Sequence, residues 1–372
     1  MNILCIDQYA EIGGAQRMLL ELLPSFAARG WNPYVAVPNE HGNLLERVRE
    51  LGYGTGSFQF GKYTKVRKTR AELFPYLRDS CRLAKQFLAW IRTLAIDIVY
   101  VNGARVLPAA SFAARRSSLP LVFHCHNRLH QRSAAYLAAT SVRFAGAQVV
   151  GCCRYATDPL LSYVRTEFVH TVYNGVGSAI AAPREKHSAI KRIGVIARIE
   201  EEKGQLEFVQ AARILTCTRP ELRFSIIGKP LFASDDYFER VRAAAAGLPI
   251  EFPGWMDNVA DSLASLDLLV VPSSSLDASP RIILEALAAG VPVIAYAVGG
   301  IPELLKDMET GILVEERTSQ ALAEGITLAL NMNPQKMRDL VQNGRRVWNE
   351  KHSPEAYGDS ICQVIARMVK AD

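Results

Sequence analysis

Asp277 and Glu285 stand eight residues apart in the stretch DASPRIILEALAAGVPVIAYAVGGIP, residues 277–302. They are the carboxylates of this chain whose spacing points most directly to chemistry. Between them, Ser279 reads as an N-cap and Pro280 as a first-turn proline, which predicts a helix over about Pro280–Ala289 that ends at Gly290. At such a helix start the backbone N–H groups of Arg281 and Ile282 lack intrahelical partners and attract phosphate or a polarised hydroxyl. Glu285, one turn further in, sets a fixed acceptor in the same space. The pattern suits a ligand that carries both phosphates and hydroxyls.

Three further constellations offer related chemistry. Gly13 and Gly14 follow a first apolar run and open a helix; two glycines let the backbone approach a phosphate, and they serve a plain tight turn equally well. The full G-x-G-x-x-G of a nicotinamide site is missing. Arg198 and Lys203 flank the acidic loop ARIEEEKGQ directly after another apolar run. As two fixed cations they would neutralise a diphosphate and stabilise it as a leaving group. As part of a solvated loop, Lys203 would instead pair with Glu200, Glu201 or Glu202. His124 and His126 in FHCHN fall on one face of a strand by alternation. An H-x-H pair suits zinc only with further ligands, and none lies at useful spacing. One of the two reads as a core histidine, and His126, at the strand's end before Asn127, as the better substrate contact. There is no D-x-D motif to hold a metal on a diphosphate, so no metal is expected.

The elements that must position these residues alternate. β-rich runs NILCI, PYVAV, IDIVYV, LPLVFHC and AQVVGC are interleaved with helical patterns near residues 15–28 and 44–51. After a break the rhythm resumes with KRIGVIA, RFSIIG, LDLLVVP, PVIAYA and GILVE, with helices near 205–216 and 237–246. This predicts an α/β chain of two doubly wound, Rossmann-like domains, each a parallel sheet covered by helices on both faces. The expected domains are 1–174 and 175–353, with the boundary in NGVGSAIAAPREKHSAIK, where Gly, Pro and charges mix. Ligands of such sheets bind beyond the C-terminal strand ends, so the two crevices are expected to face one another. A chain of 372 residues suits two such cores.

Charge divides the same way. Residues 1–174 hold 21 basic and 11 acidic side chains, and residues 175–372 hold 22 and 26. A basic first half favours an anionic partner, such as a phosphate-bearing substrate or an acidic membrane surface, with plain solubility as the alternative. No nucleic-acid module is recognisable. From Lys62 to Arg92 nine basic residues meet only Glu72 and Asp79, with Phe74, Tyr76, Phe87 and Trp90 among them. Arg78, Arg82, Lys85 and Arg92 fall on one helical face, and Leu77, Leu88 and Ile91 lie elsewhere, a pattern that fits an anionic lipid surface or a solvated face. The seven cysteines form no C-x-x-C pair and read as small core residues of a cytoplasmic protein. MNILCIDQYA reads as a strand and not as a signal peptide.

Taken in order, GGAQRMLLELLPSFAARG, FHCHN, VYNGV, ARIEEEKG, FSIIGKP, FPGWMDNVADSLASLDLLVVPSSS and DASPRIILEALAAGVPVIAYAVGGIPELLKDMETGILVE resemble the motif series of the GT-B glycosyltransferases. The resemblance is to the retaining family 4 that uses nucleotide-diphosphate sugars, and it covers nearly the whole chain. It implies two domains facing across a cleft, an N-terminal acceptor domain, a C-terminal nucleotide-sugar domain, and a last helix, Pro354–Val369, crossing back to the N-terminal domain. It further implies that Arg198 and Lys203 hold the donor diphosphate and that Glu285 holds the ribose hydroxyls. Gly13, Gly14, Gly228, Ser279, Pro280, Arg281 and Ile282 would lie near sugar and phosphates. His126 would touch the transferred sugar or the diphosphate, and Asp277, at the family's first Glu, the sugar's far hydroxyls and reacting face. No cofactor is implied beyond the nucleotide-diphosphate sugar as co-substrate, and no dedicated base. The basic first half and the Lys62–Arg92 stretch, apart from the resemblance, point to a glycan or lipid-linked acceptor, and with the cysteine usage to a cytoplasmic protein that is peripheral on the inner face of the membrane.

Two departures from the family pattern stand out. Asp277 replaces Glu, and Ser279-Pro280 replaces Phe-Gly, which removes one N–H donor. They leave room for two other readings: a GT-B-shaped protein that binds a nucleotide sugar or glycan without turnover, and a sugar-nucleotide epimerase. Trp255, after Gly254, lies beside the nucleotide base or packs in the core.

Overall fold

The computed structural model describes residues 1–61, 70–177, 190–230, 235–256, 258–273 and 277–369, and, in the helix Arg70–Thr93, the side chains from Phe74 onward. The expected boundary segment and the first part of the basic stretch therefore fall partly outside the described residues. The chain divides into two units, Met1–Gly175 with Pro354–Asp372, and Val176–Ser353.

Short runs rich in β-branched residues form the first sheet: β1 (Asn2–Asp7), β2 (Asn32–Pro38), β3 (Gly54–Phe58), β4 (Ile98–Asn102), β5 (Leu121–Cys125), β6 (Gln148–Gly151) and β7 (Val169–Thr171). All pairs are parallel, in the order β3-β2-β1-β4-β5-β6-β7. Alternation along β1 supplies both faces. Leu4 and Ile6 pack with Phe87, Val101 and Phe123, while Ile3 and Cys5 pack with Phe26, Tyr100 and Ile361 on the other side. Ile361 belongs to the last helix, Pro354–Val369, which lies against the first helix, Gly14–Ala27. The two helices touch closely: a Cβ added to Gly358 would meet Ser25 Oγ at 1.9 Å.

The second unit repeats the plan with β8 (Arg192–Ile196), β9 (Arg223–Ile227), β10 (Ile250–Gly254), β11 (Leu268–Val271), β12 (Val293–Tyr296) and β13 (Ile312–Val314), all parallel, in the order β10-β9-β8-β11-β12-β13. Phe208, Phe224, Val270 and Ile294 anchor its core. In each sheet the chain leaves the central strand toward one edge and returns on that strand's other side, between β1 and β4 and between β8 and β11. A crevice opens at the C-terminal ends of strands where the order reverses in this way. Asp7 and Asn102 end β1 and β4, and Arg198 and Pro272 follow β8 and β11, so both groups sit at switch points.

β3, β7 and β10 are additions to the strands expected from the sequence. The cysteines also divide differently from the expectation: five are buried, but Cys81 and Cys217 are exposed. Among the described residues no helix is long and apolar enough to cross a membrane.

Candidate functional site

In the second unit, the loop after β8 places both cations. Ala197 N–H and Ile199 N–H continue the pairing with β9, donating to the carbonyls of Ile227 (3.1 Å) and Lys229 (3.1 Å). The buried Gln205 Nε2 donates to the Arg198 carbonyl at 2.7 Å, which fastens that residue's backbone from the following helix, Gln205–Thr216. The Arg198 guanidinium meets Glu200 at 2.8 Å. A single 3₁₀ turn, Glu201–Lys203, then turns Lys203 away from the acidic loop. Its Nζ lies 2.5 Å from Asp277 Oδ2, and the two side chains are only 21% and 14% exposed. Of the two sequence readings of this loop, the carboxylate pairing falls to Arg198, whereas Lys203 takes a partner 74 residues away.

Asp277 is held from three sides. Its carboxylate accepts from Lys203 and from Ser273 Oγ at 3.3 Å, and its carbonyl accepts from Gly300 N–H at 3.0 Å. The helix that follows runs Arg281–Ala289 and ends on Gly290 at φ +69°. Its N-cap is Pro280, at ψ 112°, and no side chain caps it. This corrects the expected Ser279 cap. A residue before proline is pushed out of the helical region, and Pro280 itself stays extended, so the helix starts one residue later. Arg281 NH2 lies 3.3 Å from Glu285 Oε1, on side chains 15% and 17% exposed.

Arg198, Lys203, Ser273, Asp277, Pro280, Arg281 and Ile282 line one pocket of about 180 Å³, with Val195–Ala197 and Val270–Pro272 as its strand-end floor. A helix N-terminus, the guanidinium groups of Arg198 and Arg281 and the Lys203 ammonium on its wall suit an anion. Ser279, Gly228 and Glu285 are outside this lining. Glu285 is engaged by Arg281, which differs from the expectation that its carboxylate shares the same space. Gly228 follows β9, its N–H donating to the Gly254 carbonyl at 2.9 Å. Beyond it Trp255 is 42% exposed, with Lys229 Nζ 5.4 Å from its ring centroid, which excludes the core-packing reading.

In the first unit, Gly13 is the N-cap of the helix Gly14–Ala27, and its N–H is taken by Gln16 Oε1 at 3.1 Å. A Cβ added at Gly13 would stand 3.1 Å from Gln16 Oε1, and one added at Gly14 would meet nothing within 4 Å. Gln16 is buried and reaches on to Asp7, donating from Nε2 to Oδ1 at 2.7 Å. Asn102 Nδ2 donates to Asp7 Oδ2 at 2.5 Å, and its Oδ1 lies 2.6 Å from His126 Nε2. His124 is fully buried and hydrogen-bonds Tyr100 through Nδ1, while His126 is partly exposed. The two imidazoles are 3.8 Å apart by ring centroids. Burial pushes the Asp7 carboxyl up to about 6 and the His126 imidazole down to about 3. At neutral pH Asp7 is therefore ionised and His126 uncharged. Asp7, Gln16 and Asn102 were missed by motif reading. The available signal was a polar residue closing an otherwise apolar strand in NILCID and IVYVN.

The chain is similar to known proteins along most of its length. Residues 12–178 match the model of Glycosyltransferase Family 4, and residues 181–347 that of Glycosyl transferases group 1. A D-inositol 3-phosphate glycosyltransferase of Acidothermus cellulolyticus is 29% identical over 237 residues, covering 55% of this chain and 52% of that protein. A 2-deoxystreptamine N-acetyl-D-glucosaminyltransferase of Streptomyces fradiae is 27% identical over 363 residues, 85% of this chain and 82% of the relative. The chain spans about half the length of the first curated relatives it matches. Among solved structures, Anabaena HepE in complex with UDP and glucose superposes with a TM-score of 0.80 at 21% identity, covering 98% of this chain and 99% of HepE. A glycosyltransferase from Rickettsia africae gives 0.84 at 18%, covering 100% and 99%. These likenesses extend over both parallel sheets, and with the two family models in tandem along the chain they establish that this protein belongs to glycosyltransferase family 4, with the GT-B fold.

Proposed function

We propose that this protein transfers a glycosyl group from a nucleotide-diphosphate sugar to a hydroxyl acceptor, with retention of the anomeric configuration and without a metal. The observation that carries the reading is the convergence of Arg198, Lys203 and the start of the helix Arg281–Ala289 on one pocket at the β8/β11 switch point. Breaking the glycosidic bond to the diphosphate leaves negative charge on the departing phosphate oxygen. Fixed cations and backbone donors aimed at that oxygen lower the barrier without reorganising. Lys203 has three N–H donors, so it keeps Asp277 while it binds phosphate. Glu285, steadied by Arg281, is assigned to the ribose hydroxyls, and Trp255 with Lys229 to the base. In the first unit His126 is assigned to a hydroxyl of the transferred sugar. The acceptor hydroxyl attacks from the leaving group's face and passes its proton to the departing phosphate oxygen, so no protein base is assigned. The HepE structures that hold UDP and UDP-glucose support the donor class.

The acceptor is proposed to be an anionic or lipid-linked glycan, met by the basic first unit at a membrane surface. On the helix Arg70–Thr93, Phe74 is 74% and Leu77 53% exposed, beside the exposed Arg78, Arg82 and Lys85. Leu77, set off the basic face by the sequence pattern, is exposed as well.

The first test is transfer itself. Arg198→Ala and Glu285→Ala should each lower kcat/KM by about 100-fold, the scale of a contact made in the transition state. Rates within twofold of wild type would refute the assignment. Calorimetry that finds donor binding without hydrolysis or transfer would point to a binding protein instead, and conversion of donor with no acceptor present to an epimerase.

A further inference from the structure

The hydrogen bonds at the β1/β4 switch point determine where the proton on His126 resides. Asp7 is fully buried, and its ionised carboxylate only accepts: Oδ1 from Gln16 Nε2 at 2.7 Å and Tyr9 N at 2.9 Å, Oδ2 from Asn102 at 2.5 Å. The Asn102 atom facing Asp7 must therefore be its amide nitrogen. That nitrogen's second hydrogen goes to the Ala15 carbonyl at 3.2 Å. With both hydrogens committed on one side, the amide oxygen turns to His126 Nε2 at 2.6 Å. An amide oxygen cannot donate, so Nε2 carries the hydrogen. An uncharged ring holds only one, which leaves Nδ1 with a bare lone pair. Among the described residues no hydrogen bond is made by that nitrogen.

We propose that Asp7 and Asn102 are positioning residues that fix His126 as the Nε2–H tautomer and so present its Nδ1 as an acceptor for a hydroxyl rather than as a donor to phosphate. The direction of the lock runs from Asp7 outward. Gln16 supports it from the first helix, holding Asp7 with its amide nitrogen and the Gly13 N–H with its oxygen, so the glycine turn and the histidine share one network. His124 lies against the same ring at a tilt of 35° and is itself held well below the usual histidine range by burial, so it supplies no charge of its own. The assignment of a sugar hydroxyl as the ligand rests on the transferase reading, but the tautomer does not.

Long-range proton–nitrogen NMR on the full chain labelled with ¹⁵N-histidine decides the matter at neutral pH, with His126→Gln identifying the signals. The wild type should show a protonated Nε2 and an unprotonated Nδ1. Asp7→Asn should admit the Nδ1–H form beside the Nε2–H form. Its own amide nitrogen then faces Asn102 and competes with the Ala15 carbonyl for the orientation of that amide, which, where it turns over, leaves His126 Nε2 facing a donor. A wild-type ring with its hydrogen on Nδ1, or charged, overturns the proposal, as does an unchanged tautomer in folded Asp7→Asn. Should Asp7→Asn fail to fold, Asn102→Ala replaces it, with a mixture of both tautomers expected and a pure Nε2–H form counting against the lock. No substrate enters this measurement. A locked tautomer in a chain that transfers no sugar would sink the transferase reading and leave the lock standing.

Discussion

Asp277 is one of the two places at which this chain departs from the motif pattern it resembles, and the structure gives the shorter side chain a definite task. At its observed position the carboxylate reaches Lys203 Nζ and Ser273 Oγ directly. A glutamate would carry its oxygens about 1.5 Å further, one C–C bond, past both partners. The exposures of 21% and 14% put this pair between two regimes. It is too sheltered to be dismissed as a solvent-screened surface pair. It is also too open to carry the full desolvation cost of a buried one. A double-mutant cycle of Asp277→Asn with Lys203→Met, followed by urea denaturation, should therefore return a coupling of about 0.5–2 kcal/mol. Coupling below about 0.3 kcal/mol would mean that the two side chains are merely neighbours. The same geometry alters the ligand-site argument. Lys203 is held in place before any phosphate arrives, so part of the ordering cost of binding is already met in the free protein.

At the scale of elements, the doubly wound plan was legible because its signal is local. Runs such as the ILCI of β1 and LLVV are apolar throughout, as a strand covered on both faces must be. The last helix, Pro354–Val369, has the same bounds in sequence and structure. β3, GTGSF, was not legible, because it lacks the side chains that mark a strand. Its apolar cover comes from elsewhere: the Tyr34 side chain lies over Gly54 and Gly56, where added Cβ atoms would stand 2.7 Å from a ring carbon and from the hydroxyl. The site followed the same division. Arg198, Lys203 and the Arg281 helix were visible as local motifs, whereas the Lys203–Asp277 and Asp7–Asn102 bonds join residues 74 and 95 positions apart that only the folded sheets bring together. The contact between the first and last helices offers a direct check of such packing. Gly358→Ala would drive a Cβ to within 1.9 Å of Ser25 Oγ and 2.5 Å of Ser25 Cβ, so the helices must separate or shift. Overpacking of this kind costs about 1–3 kcal/mol. The expected result is an equivalent fall in unfolding free energy, measured by urea denaturation, and a variant as stable as wild type would show that the helix seats with slack.

For the whole molecule, the question is why the charge is divided. The residues before the boundary carry 21 cations against 11 anions, and those after it 22 against 26, although the pocket that suits a diphosphate lies in the second, acidic part. Donor binding therefore does not account for the basic excess, whereas the proposed anionic partner would. The helix Arg70–Thr93 has the composition for a lipid surface, with exposed Phe74 and Leu77 to enter the headgroup layer and Arg78, Arg82 and Lys85 to meet anionic lipid. Each such cation near an anionic leaflet contributes roughly 1 kcal/mol, so three give about 3 kcal/mol, a factor of roughly 150 in partitioning. The protein should co-float with vesicles containing anionic lipid at low salt, and high salt should release it, because the attraction decays within a Debye length of about 10 Å at 0.1 M ionic strength. Replacing Arg78, Arg82 and Lys85 by Ala should lower vesicle binding by about 100-fold, and Phe74→Ala with Leu77→Ala should weaken binding even where salt screens the charges. Equal binding to neutral vesicles would attribute the effect to the apolar residues alone. Absence of flotation, together with efficient use of a neutral soluble acceptor, would return the basic helix to the status of a solvated face and move the acceptor into solution.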